Sequence, residues 1–133
     1  MNENTPSKID LGYTENKVVF LFCDCSLDKK FSFWKFENRE QAEMFINRLK
    51  HLEELKWSQL AALSREQGLT KEIPGTASYE MIDSQNTSPE KMGGEKYYFH
   101  FRVRDGNLFR VFGYQKKQYF CITHIDKKGE IHH

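Results

Sequence analysis

Between positions 98 and 124 the chain carries residue types that can handle a phosphate: the cations Arg102 and Arg110, the rings of Tyr98, Phe112, Tyr114 and Tyr119, and the imidazoles His100 and His124. Cations beside aromatic rings neutralise phosphate and stack on the unpaired bases of single-stranded nucleic acid. An imidazole acts as a general base where it reaches a proton to abstract, and His124 closes an apolar-rich run two residues before Asp126. The same residues also fit a bland role, as the wet side of a sheet with His124 satisfied by a backbone carbonyl.

Other chemistries find less support. Cys23-Asp24-Cys25 has one residue between its thiols, with no second cysteine pair or closely spaced histidine pair to complete a zinc set. On a strand these two sulfurs share a face but lie too far apart for a relaxed disulfide. Buried structural thiols are therefore expected. His132 and His133 form only a terminal pair, and Gly93-Gly94 lacks the Lys-Ser/Thr that a phosphate-cradling loop needs. There is no G-x-G-x-x-G or G-x-S-x-G motif either. No metal and no cofactor is expected.

The 133 residues fall in the usual size range of a single domain, with 38% hydrophobic content concentrated in 11 Phe, 6 Tyr and 2 Trp. No apolar run approaches bilayer length and MNENTPSKIDLG is polar, so no membrane is expected as partner. Three cysteines without a disulfide framework fit a reducing compartment, and the expected location is the cytoplasm. Net charge is +1, but residues 96 to 133 carry 8 Lys/Arg against 3 Asp/Glu. That local excess points to an anionic partner.

The elements that must position these residues follow from period and turn chemistry. After a polar arm over 1–16, KVVFLFCDC (17–25) and FSFWKF (31–36) read as strands joined in a hairpin through Ser-Leu-Asp-Lys-Lys. Asn38 as cap, Gln41 three residues on, and the stripe Ala42, Phe45, Ile46, Leu49 and Leu52 predict a helix ending near Leu55. A second helix starts at Trp57-Ser58, with Leu60, Ala61 and Leu63 on one stripe, and closes before Gly68. Residues 69–95, rich in Gly, Pro, Ser and Thr, read as a long irregular connection that could cover the Arg/Tyr face. Strands follow over 97–103, 108–114 and 119–125. The predicted fold is a single α+β domain over 1–133: an N-terminal β-hairpin, two helices, then an antiparallel meander with the helices on one sheet face.

Alternation also assigns faces. An Asp105-Gly106-Asn107 turn pairs Val103 with Phe109 and Phe101 with Val111, which sets Arg102 across from Arg110. A Lys116-Lys117 turn then pairs Tyr114 with Tyr119, Phe112 with Cys121, Val111 with Ile122 and Arg110 with Thr123. Phe99, Phe101, Val103, Phe109, Val111, Phe120 and Ile122 form the core face, with His124 on that side. Tyr98, His100, Arg102, Arg110, Phe112, Tyr114, Tyr119, Cys121 and Thr123 form the other. Two facing arginines repel unless a phosphate or a carboxylate lies between them.

This layout of a helix pair followed by a basic antiparallel sheet ending in FRVFGYQKKQYFCITHIDKKGEIH resembles the RelE/ParE-like toxins of bacterial toxin–antitoxin pairs, and small proteins of phage and plasmid regions. The likeness covers residues 38–133 in layout and the last ~35 in detail. It implies a toxin-like RNA-binding protein, a metal-independent endoribonuclease acting on messenger RNA, free or on the ribosome, with a cognate antitoxin or other protein partner. By the same resemblance Arg102 and Arg110 hold the scissile phosphate, Tyr98, Tyr114 and Lys116 complete the RNA surface, and His100, Tyr119 or His124 moves protons. The chain departs from the Asp-x-x-His ending of such relatives, reading Asp126-Lys-Lys-Gly129, with its next histidine at His132. The superfamily also has members that poison gyrase or have lost activity. The competing reading is a non-catalytic protein-interaction or regulatory module of phage or plasmid origin.

Overall fold

A computed structural model describes residues 9–33, 36–64, 66–71, 97–104 and 108–131. The Asp105-Gly106-Asn107 turn, most of the 69–95 connection, Gly93-Gly94 and the terminal histidine pair lie outside the described residues.

The class is α+β. Strand β1 (Val19–Leu21) is followed by helices α1 (Arg39–Leu52) and α2 (Trp57–Ala62), then β2 (Leu69–Lys71), β3 (Tyr97–Arg102), β4 (Arg110–Lys116) and β5 (Tyr119–Asp126). Among the described residues the strands make one mixed sheet in the order β1-β5-β4-β3-β2, with β1 parallel to β5 and the other pairs antiparallel. A short 3₁₀ turn, Leu11–Tyr13, falls within the polar arm.

Local chemistry accounts for the helices. The Asn38 side chain accepts from the Gln41 backbone N–H at 2.8 Å, and Gln41 Oε1 accepts from Glu37 N–H at 2.7 Å, so the first turn of α1 starts with donors satisfied. Phe45, Leu49 and Leu52 of its stripe are buried, whereas Ile46 is 49% exposed. Trp57 opens α2 fully buried, its indole N–H donating to the Gln118 carbonyl at 2.8 Å. One core cluster collects Phe45, Leu49, Leu52, Trp57 and Leu60 with all seven side chains of the expected core face. Arg48 on α1 donates to the carbonyls of Arg102, at 3.1 Å, and Gln67, tying the helix to the end of β3.

The expected N-terminal hairpin does not form. Val19–Leu21 pairs in parallel with Tyr119–Cys121, and among the described residues 22–33 and 36 there is no strand. Ser26 and Asp28 explain why. Ser26 Oγ accepts from Asp28 N–H at 3.1 Å and Asp28 Oδ1 from Lys30 N–H at 2.9 Å, closing local turns that compete with an extended ladder. The segment instead forms a strap along the β5 edge, where Ser26 N–H donates to the Thr123 carbonyl at 2.7 Å and Ile125 N–H to the Phe31 carbonyl at 2.8 Å. Beyond the edge, Phe33 and Phe36 turn to Phe45 with ring centroids 5.6 and 5.9 Å away. The start of the 69–95 connection is likewise a strand, β2, paired with β3.

Register between β3 and β4 is the expected one, with Phe101 opposite Val111 and Arg102 opposite Arg110. Between β4 and β5 it differs twice. The turn is Lys117-Gln118, which pairs Lys116 with Tyr119 and Tyr114 with Cys121. A bulge then shifts the ladder between Phe112 and Gly113, leaving Thr123 as the extra residue and pairing Phe112 with His124, Val111 with Ile125 and Arg110 with Asp126. His124 therefore joins the second face, not the core side.

Lys117 carries φ 57, the left-handed conformation that a side chain disfavours by roughly 1–2 kcal/mol. Glycine is the residue favoured where the first central position of a two-residue hairpin turn takes positive φ. Lys117→Gly is expected to stabilise the protein by about 0.5–1 kcal/mol after glycine's added chain entropy is offset. The check is a higher urea midpoint at unchanged slope.

Candidate functional site

The second sheet face, which holds every predicted site residue, is organised in rows across β3, β4 and β5. The first row is Arg102, Arg110 and Asp126. Both arginines are half-buried, and the Arg110 Nε is buried without a hydrogen-bond partner among the described residues. Asp126 is fully buried, and its two oxygens accept from the backbone N–H groups of Glu130 at 2.8 Å and Ile131 at 2.9 Å. The carboxylate thus fastens the chain end over the sheet while standing next in line to Arg110. Removing it strands two donors, and Asp126→Ala is expected to cost about 2–3 kcal/mol, read as a lowered urea midpoint.

The second row is His100, Phe112 and His124. His100 is 8% exposed with its ring 5.1 Å from Phe112, and His124 is 0% exposed. His124 Nδ1 lies 3.0 Å from Thr123 Oγ1, and its ring meets Phe31 edge-on at 5.5 Å. Phe31 and Ile131 pack onto Phe112, so strap and chain end together cover this row.

The third row is Tyr98, Tyr114 and Cys121, joined by Leu21 of β1. The two tyrosine rings stack tilted at 5.5 Å, and all three side chains are buried. Tyr114 donates its hydroxyl to the Asp24 carboxylate. Burial first, and then that carboxylate, push the phenol well above its ordinary range and keep it protonated. Burial also raises the Cys121 thiol. Of the expected buried cysteines only this one is buried; Cys25 is intermediate and Cys23 exposed. At the open end of the face stand Lys116, exposed, and Tyr119, half-buried.

The face therefore brings the predicted residues together in space but buries Tyr98, His100, Tyr114 and His124, half of them. Asp24, Asp126 and the strap were missed as contributors, since alternation within one strand says nothing about what crosses a sheet edge. Lys127 was missed as well. It is 6% exposed, donates to the carbonyls of Lys29 at 3.2 Å and Ser32 at 2.6 Å, and lies 5.4 Å from the Phe36 ring centre. Burial lowers its pKa. It works as an internal tether of the strap.

Outward of that tether the strap forms a trough of about 590 Å³ lined by Phe22, Cys25, Ser26, Leu27, Lys29, Ser32 and Phe33. A smaller cleft of about 220 Å³ adjoins it through Lys29 and adds Lys30, Lys127, Lys128 and Glu130. Among the described residues no cluster of His, Cys, Asp and Glu could hold a metal ion, and no helix is long and apolar enough to cross a membrane. No family model, curated protein or solved structure matches this chain.

Proposed function

We propose that this protein is a non-catalytic binding module in which the sheet is scaffold and the strap is the working surface. The observation that carries this reading is a contrast in exposure. His124 and Tyr114, candidates for proton transfer or RNA contact, are 0% and 1% exposed, whereas Leu27, Phe33 and Phe22 of the strap are 93%, 48% and 38% exposed. A general base must come within hydrogen-bond reach of its proton, and grouped exposed apolar side chains mark interaction sites.

Induced expression in bacteria, with growth and transcript integrity followed together, tests the reading. Normal growth with intact RNA is expected. Transcript cleavage that disappears in the Arg102→Ala/Arg110→Ala variant would overturn it.

A second reading keeps the toxin-like RNA-binding role, with or without RNA cleavage, and rests on one feature. Arg102 and Arg110 are adjacent and half-buried, and the Arg110 Nε has no acceptor among the described residues. A phosphate oxygen would satisfy it. This reading predicts RNA affinity that falls steeply with salt and is lost in the double arginine variant.

A further inference from the structure

We infer that the strap trough docks an acidic, apolar peptide segment of a protein partner, its apolar side chains lying against Phe22, Leu27 and Phe33 and its carboxylates over the adjoining lysine cleft. This rests on the binding-module reading above.

Three features define the occupant. The first is shape: among the described residues, all that line the trough come from the strap, between Phe22 and Phe33. Among the described residues the sheet and helices supply no second wall. An acyl chain is held by enclosure, whereas a peptide can lie along a one-sided trough. The second is charge, because the cleft sharing Lys29 is lined by four lysines against Glu130. Asp28 and the buried Asp126, both beside Lys127, lower the local excess to about one positive charge, a bias toward carboxylates over ammonium groups. Lys127 is turned inward to the Lys29 and Ser32 carbonyls, so Lys29, Lys30 and Lys128, all exposed, form the outer rim.

The third is the kind of apolar contact offered. Phe22 and Phe33 meet each other at 5.2 Å with planes tilted by 45°, so they do not form parallel plates for successive bases. Leu27, the most exposed of the three, has no ring face on which a base can stack. A branched aliphatic or aromatic side chain of a peptide fits this surface better than a nucleotide does. The trough is also held in place before any partner arrives, by the Ser26 and Phe31 backbone bonds to β5 and by the Lys127 tether. Such preorganisation lowers the entropy cost of docking.

The test is selection of a random peptide display library on the full chain, followed by fluorescence anisotropy with the enriched peptides. Enriched sequences are expected to combine Leu, Ile or Phe with Asp or Glu, and to bind at least about tenfold more weakly to Leu27→Asp. A Lys29→Glu/Lys30→Glu variant is expected to lose binding likewise and to shift preference toward basic peptides. Leu27 is almost fully exposed, so its replacement leaves folding intact, with circular dichroism as the check. Absence of enrichment, enrichment of basic sequences, or binding unaffected by Leu27→Asp overturns the inference. So does displacement of the peptide by oligouridylate, or a dimer of this chain that Leu27→Asp dissociates. If these fail while transcripts stay intact during expression, only this occupant falls; arginine-dependent RNA cleavage instead removes the binding-module reading itself.

Discussion

Phe112→Ala is expected to lower the unfolding free energy by about 3–5 kcal/mol, the range for emptying a fully buried phenylalanine site. Phe112 is 0% exposed on the face that alternation marks as the wet side, between His100 and His124 and beneath Phe31 and Ile131. The ladder through β4 fixes the backbone around the vacated space, so little relaxation can refill it. Equilibrium urea unfolding measures the loss. A change within about 0.5 kcal/mol, as at ordinary surface positions, would mean that the face is open and the acid–base reading of His100 and His124 regains its footing.

Gly113→Ala should be as damaging, for the opposite reason. A Cβ at this position would lie 2.4 Å from the Cys121 carbonyl oxygen and 2.5 Å from Cε1 of Phe120. The carbonyl belongs to the β4–β5 ladder beside the bulge. The Phe120 ring is hemmed in by Phe20, Phe101 and Trp57 at 5.6, 5.4 and 6.4 Å. Neither can give way, and one methyl group is expected to cost about 3 kcal/mol or more. Loss of soluble protein, or of a cooperative unfolding transition, is the readout. A variant with an unchanged urea midpoint would show that β4 and β5 do not approach so closely there.

These two positions mark where the sequence could be read and where it could not. Alternation in YYFHFRV and LFRVFGY marked the core face and the Arg102–Arg110 pairing, because both strands are regular and lie close together in the chain. In YFCITHID the same alternation misled: Thr123 is an inserted residue, and nothing in its type marks a bulge, so His124 was assigned to the core side. The capped helix α1 was legible because Asn38, Gln41 and the Phe45-Leu49-Leu52 stripe agree with one another. The hairpin was not, because its first strand pairs beyond its neighbourhood and its second gives way to local turns. Val19–Leu21 lies beside a strand 100 residues later, and no local pattern encodes that choice.

The candidate site suffered from a different limit. Tyr, His and Thr are residue types that occupy either side of a sheet, and whether they face water depends on what covers them. Here the strap crosses the β5 edge, places Phe31 over the histidine row, and supplies Asp24 to the Tyr114 hydroxyl. The Arg102–Arg110 pair, which seemed to need a counter-charge, stands in a row that ends at the buried carboxylate of Asp126.

The central claim, that the histidine and tyrosine rows of the second face are interior while the strap looks outward, can be tested with the protein's own thiols. Cys23 on the strap is exposed, and Cys121, in the row of Tyr98 and Tyr114, is 1% exposed. Native protein treated with iodoacetamide and mapped by mass spectrometry should label Cys23 quickly. Cys121 should react on the order of a thousandfold or more slowly, limited by opening of the fold. Labelling of Cys121 at a rate comparable to Cys23 would contradict the account.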